Sequence, residues 1–395
     1  MREPLWGPQY VLAIAVNFCI AAVFYLLITT TALYALESFR TDEVVAGIVS
    51  GSFIVGSVVA RLLGGKFLDV VGRRRMLVAC LVACVVLATA QAFVGDLALL
   101  VLLRGLHGVA FGAASTAVSA GVFSFIPASR RSEGAGYYGV STTLGSAIGP
   151  IMGVAVIAAF SYRALFLAAA AWGVLGLVGA LLLRLPERPP TSEDWTRLRS
   201  WSLWTFVDRR SLPVAGIMFA AGIGFSGVLS FLNPYAVHGG AGAIGGTYFA
   251  AYALVVLVSR LFVGRLQDRF GDNAVVYPLL VCLAAGLAVL SVGVGGVLPY
   301  LSAALIGFGF GALMPTVQSI VVTLAGPERV ALATSTFFLM VDLGVGIGPV
   351  LDGALLALFG YPGMYLVLSG VAVLGSGYYF LVHGRYRART GAVMP

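Results

Sequence analysis

Long apolar segments separated by short polar ones dominate the chain. Twelve of these runs are each long enough for a helix to cross the hydrocarbon core of a membrane, which takes roughly 20 residues. Their approximate limits are 10–36, 44–65, 76–95, 97–125, 133–160, 163–184, 213–237, 244–266, 274–295, 297–324, 330–358 and 361–382. Membrane barrels use alternating strands of only about ten residues. The pattern therefore predicts an all-α integral membrane protein with twelve transmembrane helices.

Composition agrees with a protein that is dissolved in lipid. Of the 395 residues, 60% are hydrophobic and only 10% are charged, whereas a soluble domain is about half apolar and a quarter charged. The cysteines lie inside apolar runs, which indicates buried free thiols; they are Cys19, Cys80, Cys84 and Cys282. The sequence has no phosphate-binding loop, metal-ligand spacing or nucleophile–base pair. We therefore expect no cofactor, no metal, no nucleic-acid partner and no enzymatic activity.

Basic residues mark one side of the membrane. Of the 24 Lys and Arg residues, only Arg40 and Arg163 fall on the side opposite the termini, and Arg104 lies inside a span. Because short basic loops stay in the cytoplasm, both termini are predicted to be cytoplasmic. The excess of Arg over Lys is typical of GC-rich bacteria, so we expect a multi-pass protein of a bacterial cell (inner) membrane, working as a monomer.

The two halves of the chain repeat each other at an offset of 199 residues. This shift also carries residues 108–113 onto 307–312 and 145–150 onto 344–349, and it maps Arg61, Gly65, Asp69 and Gly72 onto Arg260, Gly264, Asp268 and Gly271. Each half contains six spans, and because six is even, both halves cross the membrane in the same direction. Some transporters are built from parallel repeats of this kind, with the substrate site between the halves. The predicted parts are residues 1–184, a cytoplasmic linker at 185–212, residues 213–384 and a basic tail at 385–395.

Three motifs give the chain a resemblance to the major facilitator superfamily. They are G-x-x-x-D-x-x-G-R-R (Gly65, Asp69, Gly72, Arg73, Arg74), R-x-x-x-G-x-x-x-G (Arg104, Gly108, Gly112) and G-x-x-x-G-P-x-x-G (Gly145, Gly149, Pro150, Gly153). The resemblance implies a transporter with two six-helix halves, and the last motif is characteristic of its proton-driven exporters. Residues 307–315 and 342–349 also resemble bacterial permeases of the sugar-efflux and metallophore-export type.

The first motif and its copy predict a gate. Asp69 and Asp268 lie just past spans 2 and 8, where a carboxylate can face the positive N-terminal end of another helix. The resemblance points to span 11 as the partner of Asp69. Arg73 is expected to pair with Asp69 and with Glu133. Together with Arg74 and with Gly264 and Gly271 of the copy, these residues form the predicted latch; the alternative is a solvated basic loop.

Small residues four apart in spans 5 and 11 allow close helix packing. They are Gly145, Gly149, Pro150 and Gly153, then Gly344, Gly348 and Pro349. Their repeated placement predicts a pliable seam between the halves, and ordinary glycine packing in membrane helices is the alternative.

Charges inside the membrane are costly and therefore indicate function. Arg104 and His107 share a face of span 4, and Asp342 lies in the middle of span 11, with Asp352 nearer the outside. The resemblance places the span-4 arginine in the central cavity, in proton coupling or in holding a polar substrate. We expect Arg104, His107 and Asp342 to handle protons. His107 as a hydrogen-bonded helix contact, and Asp342 as a packing or capping residue, are the alternatives.

The central cavity of such a fold is lined by spans 1, 4, 7 and 10. Its polar and aromatic candidates are Asn17, Tyr25, Thr29, Phe111, Asn233 and Gln318, although helix–helix contacts are the alternative for each. The expected function is export of a small organic molecule by proton antiport with alternating access. The alternative is proton-coupled uptake, or facilitated passage, of an organic anion that pairs with Arg104.

Overall fold

A computed structural model of the chain describes residues 4–41, 43–187, 195, 199–200, 202–241 and 244–385. The regular structure of these residues is helical throughout. The predicted tail therefore lies almost wholly outside the described residues, as does much of the linker. In the linker, the structure shows a short 3-10 turn at Leu203–Thr205.

Six long helices make up the first half. They are α1 (Pro8–Phe39), α2 (Glu43–Val71), α3 (Arg73–Gln91), α4 (Leu97–Val122), α5 (Arg131–Ala159) and α6 (Tyr162–Leu182). Polar side chains cap two of them: Asp96 Oδ1 accepts from the backbone N–H of Leu99, and Ser161 Oγ from that of Ala164. These caps satisfy N–H groups that have no partner inside the helix.

The second half has the same number of spans but more interruptions. α7 is Leu212–His238, and α8 runs as Gly245–Arg260 and, after a break at Leu261 and Phe262, as Val263–Phe270. α9 is Asn273–Val292. α10 consists of Leu298–Ile306, a π-helical turn at Gly307–Gly311 and Ala312–Ala325.

The last two spans form one assigned helix, Val330–Tyr379, of 50 residues. A straight helix of that length would measure about 75 Å, more than twice the thickness of the hydrocarbon core. Gly360 interrupts it with φ 67° and ψ 178°, a conformation outside the helical region. We name the part before Gly360 α11 and the part after it α12, followed by a π-helical turn at Phe380–Gly384. The prediction of a twelve-helix membrane protein is confirmed.

Apolar side chains point outward along these helices as well as inward. Val86, Val154, Leu182 and Val350 are each more than half exposed. In water this surface would be unfavourable, but lipid tails solvate it. Helices that are hydrophobic all round are typical of membrane spans.

The chain folds into two compact units. Unit 1 contains Met1–Ala128, Tyr138–Asp208 and Arg329–Thr336; unit 2 contains Ser129–Tyr137, Arg209–Glu328 and Phe337–Pro395. The start of α5 thus belongs to unit 2 and the start of α11 belongs to unit 1.

Equivalent glycines end the second helix of each half. Gly72, between α2 and α3, has φ 92°, and Gly271, between α8 and α9, has φ 86°. A side chain is strained at such positive φ values, so glycine allows both sharp turns. These glycines are 199 residues apart, the offset seen in the sequence.

Candidate functional site

Asp268 caps the start of α5 inside unit 2. Its Oδ1 accepts a hydrogen bond of 3.0 Å from the backbone N–H of Ser132, and its Oδ2 accepts one of 2.9 Å from that of Glu133. The carboxylate also complements the positive end of the helix dipole. Gly264 makes this approach possible, because a β-carbon there would collide with the backbone of Ser132.

Glu133 is the centre of an ion-pair cluster at the same place. Arg130 donates from Nε to Glu133 Oε2 at 2.7 Å and from Nη2 to Oε1 at 2.9 Å. Arg265 Nε also donates to Oε1, at 2.7 Å. Arg265 also donates to the hydroxyl of Tyr137 at 2.7 Å. Arg130 and Arg265 are thus the cations that the structure shows at Glu133, both within reach of the first turn of α5. The pairing of Arg73 with Asp69 and Glu133 stays a prediction.

The corresponding turn in unit 1 is held differently. The backbone N–H of Arg74 donates to Glu187 Oε1 at 2.9 Å, and the Arg74 side chain donates to the carbonyl of Leu181 at 2.8 Å. Arg73 begins α3, and Gly72 lies beside the Glu187 carboxylate.

The surroundings of Gly65 and the side chain of Asp69 lie outside what the structure describes. The helix that carries them does contact α11, because Ser335 Oγ donates to the carbonyl of Arg61. In unit 2, a β-carbon on Gly136 of α5 would lie 3.2 Å from the carbonyl oxygen of Arg260. Gly136 and Ser335 are equivalent at the offset of 199 residues, so the two predicted gates share this helix contact. The role of Asp69 stays a prediction.

The glycines of α5 and α11 allow close packing within each unit. Gly145 and Gly149 lie against α1, at Ala21 and Tyr25, and Gly153 lies against Thr30. In unit 2, Gly344 and Gly348 make the same close approach to α7, at Phe219 and Ser226. The structure thus shows that these glycines allow contacts of α5 with α1 and of α11 with α7. The pliable seam between the halves stays a prediction. Pro150 and Pro349 lie inside these helices.

Arg104 is completely buried in α4. Its Nε, Nη1 and Nη2 have no hydrogen-bond partner among the described residues, and its guanidinium carbon lies 4.6 Å from the centre of the Phe53 ring. A cation–π contact offers about 2 kcal/mol when it is desolvated. Burying the charge costs more than this. The guanidinium is thus a set of free donors suited to a carboxylate or another anionic group.

His107 lies one turn further along α4, also buried. Its Nδ1 is 3.2 Å from Nε2 of Gln91, while its Nε2 has no partner in the described part of the chain. The contact with Gln91 agrees with His107 as a hydrogen-bonded helix contact. The second ring nitrogen, which has no partner among the described residues, agrees with a role in proton handling.

Phe53, which contacts the Arg104 guanidinium, belongs to an aromatic cluster that sequence reasoning missed. Phe111 stacks on Phe24 with ring centres 5.0 Å apart, and its ring centre lies 5.2 Å from that of Phe53. Unit 2 repeats the arrangement: Phe225 stacks on Phe310 at 4.2 Å and on Tyr252 at 5.4 Å. Phe53 and Phe111 map onto Tyr252 and Phe310 at the offset of 199, so applying the repeat to aromatic residues would have found it.

The cavity candidates differ in how deeply they are buried. Asn17 is buried and donates to Ser141 Oγ at 2.7 Å and Thr142 Oγ1 at 3.0 Å, so it joins α1 to α5. Tyr25 and Phe111 are half-buried, Gln318 is buried and Asn233 is exposed. The side chain of Thr29 lies outside the described residues. For Asn17 the structure thus shows the helix–helix contact.

Two carboxylates lie on α11. Asp342, the expected proton carrier, is half-buried, whereas Asp352 is completely buried against Ser226 of α7. Sequence position placed Asp352 nearer the outside and gave no sign of its burial, because every face of this helix is apolar.

A profile of the Major Facilitator Superfamily matches residues 13–345 and 300–393. The chain therefore belongs to this superfamily of membrane transporters, as its motifs indicate.

Two curated bacterial relatives cover most of the chain. The Staphylopine export protein of Staphylococcus aureus (strain Mu50 / ATCC 700699) is 24% identical over 343 residues, 84% of this chain and 85% of that protein. An uncharacterized MFS-type transporter of Burkholderia mallei (strain SAVP1) is 27% identical over 377 residues, 91% of this chain and 89% of the relative. The crystal structure of the human organic anion transporter MFSD10 (TETRAN) superposes with a TM-score of 0.82 at 18% identity, covering 94% of this chain and 100% of that one. This structural likeness shows the shared fold.

Proposed function

We propose that the protein is a secondary active transporter that exports a small organic molecule in exchange for protons, and that the molecule presents an anionic group to Arg104. The buried guanidinium of Arg104 carries this proposal, since none of its nitrogens has a partner among the described residues. A charge kept at such cost is expected to have a role. The planar donors of arginine fit a carboxylate with two parallel hydrogen bonds.

The aromatic rings beside Arg104 support an organic rather than an inorganic anion. Phe53 lies under the guanidinium, and Phe111 and Phe24 continue the apolar surface. A substrate with one anionic group and an apolar body matches both features. In this proposal Asp342, half-buried in α11, exchanges the proton that drives transport.

Export is supported by two further observations. The motif G-x-x-x-G-P-x-x-G lies in α5 and packs against α1, and one relative is named for export of staphylopine. The distribution of basic residues supports cytoplasmic termini, so the proposed direction is out of a bacterial cell.

Purified protein in liposomes tests the proposal. A thermal-shift screen of drugs, sugars and metal-chelating metabolites first identifies a ligand, with aromatic carboxylates and their neutral methyl esters as matched pairs. We expect the acids to bind and the esters to bind far more weakly. A pH-sensitive dye inside the liposomes then reports whether adding the ligand on one side moves protons.

The direction of proton movement separates the two candidate functions. Antiport moves protons opposite to the ligand, as we expect. Movement of both in the same direction would instead establish uptake of an organic anion, a role that Arg104 also suits. Ligand flux that leaves the internal pH unchanged would refute proton coupling.

A further inference from the structure

The contact between α7 and α11 encloses a carboxyl group. Asp352 has no exposed surface, and its Oδ2 lies 2.6 Å from Ser226 Oγ. Its Oδ1 is buried and has no hydrogen-bond partner among the described residues. Gly348 allows Ser226 to come this close, because a β-carbon on Gly348 would collide with the serine hydroxyl.

The number of hydrogen atoms available at this contact indicates whether Asp352 is protonated or ionised. Ser226 Oγ also lies 2.7 Å from the carbonyl oxygen of Ile223. A serine hydroxyl has one hydrogen, and neither a carbonyl nor an ionised carboxylate can supply another. If the serine donates to Ile223, the hydrogen in the second contact must come from Asp352. Each contact has a hydrogen atom of its own only when the carboxyl group carries a proton, since otherwise the two acceptors share one serine hydrogen.

The surroundings of Asp352 also favour the neutral acid. No Lys, Arg or His side chain pairs with it in the described part of the chain. Tyr365 interacts electrostatically with Asp352 and with Tyr235 of α7, Tyr248 of α8 and Tyr361 of α12. His238, at the end of α7, lies beside Tyr361 with ring centres 5.6 Å apart. Tyrosines are neutral near pH 7. An ionised carboxylate here would be a buried charge without a counterion, which is strongly unfavourable.

We propose that Asp352, held by Ser226, is a proton-binding site, and that it gives up and regains this proton during the transport cycle. This inference rests on the proposed antiport and adds to it a second carboxyl group, which is more fully buried than that of Asp342. When α7 and α11 separate far enough to admit water, the proton passes to water and leaves an ionised carboxylate. When they close, the carboxylate takes a proton back from water.

The first half has no carboxyl group at the equivalent position. Gly153 is the twenty-third residue of α5 and Asp352 the twenty-third residue counted from Val330, so they are equivalent positions. α5 packs against α1 with glycine there. Pro349 lies three residues before Asp352 inside α11. A proline removes a helical hydrogen bond, so Pro349 makes bending of α11 near this contact easier.

Infrared spectroscopy of the reconstituted protein tests the proton site without any substrate. We expect a carboxylic-acid C=O band that disappears as pH rises, shifts in heavy water and is lost in Asp352→Asn. Ser226→Ala should keep the band but move it, since the hydrogen bond is gone, and Asp342→Asn should leave it in place. A band that persists unchanged in Asp352→Asn, or Asp352 ionised at every pH tested, would overturn the proposal.

Flux measurements then test coupling. Asp352→Asn should exchange labelled ligand across the membrane but fail to accumulate it against a gradient when a pH difference is imposed. Uphill accumulation equal to the parent would show that Asp352 holds a proton without coupling it, which also overturns the proposal. If the parent itself shows no proton-driven flux while the Asp352 band is present, the antiport fails and the proton site stands alone.

Discussion

The backbone N–H of Glu133 donates a hydrogen bond of 2.9 Å to the carboxylate of Asp268. The end of α8 thereby caps the start of α5, although the two residues are 135 positions apart in the chain. A negatively charged cap of this kind holds two helices together only while they stay in one arrangement. It is therefore suited to stabilise one of the two conformations of an alternating-access cycle.

Asp268→Asn should weaken this cap. An amide loses the charge and turns one donor group toward a backbone N–H, which costs about 1–2 kcal/mol. We expect a lower melting temperature and slower transport in liposomes. Asp96→Asn is the matched control, because Asp96 caps α4 in an exposed turn through a 2.8 Å bond to Leu99. It should lower stability slightly and leave transport unchanged; equal transport by the two variants would contradict the gate.

Arg104→Met should make the protein more stable and less active. The substitution removes a buried charge that has no partner among the described residues and fills the space with an apolar chain. We expect the melting temperature to rise by a few degrees while ligand binding is lost, as measured by thermal shift with and without ligand.

Arg61→Met is the control for Arg104. Arg61 is also buried in unit 1, but its guanidinium donates to Thr116 Oγ1 at 2.9 Å and Ser115 Oγ at 3.1 Å. This variant should melt at a lower temperature than the parent. If Arg104→Met destabilises the protein as much as Arg61→Met does, Arg104 is a structural residue.

Gly348→Ala should force α7 and α11 apart, because the new methyl group would occupy the position of Ser226 Oγ. We expect a clear loss of thermal stability and of the contact between Ser226 and Asp352. Gly370→Ala in α12 is the comparison, since a β-carbon there meets nothing within 4 Å. Alanine favours a helix over glycine by up to about 1 kcal/mol, so Gly370→Ala should be neutral or stabilising. Equal melting temperatures would disprove the close packing.

Asp342→Asn should abolish accumulation of ligand driven by a pH gradient while preserving exchange. Exchange of ligand for ligand requires no change in protonation, so the neutral amide should support it. The measurement is uptake of labelled ligand with and without an imposed pH difference. Uphill transport equal to that of the parent would make Asp342 a packing residue.

The sequence by itself determined the architecture. Twelve apolar runs define twelve spans because a helix is the structure that satisfies its own backbone in lipid. The repeat of Gly72 and Gly271 was readable for a similar reason: the two turns need positive φ, and glycine is the residue that adopts it at little cost. These properties depend on residues near one another in the chain.

Only the tertiary structure decided which polar groups meet. Arg265 joins Glu133 from another helix, Asn17 binds α5 instead of being left free, and Asp352 is enclosed while Asp342 remains half-buried. In a soluble protein the apolar stripe of a helix shows which side faces inward. These helices are apolar on both the lipid and the protein side, so the sequence does not reveal their orientation. The partners of each buried charge depend on that orientation and follow from packing alone.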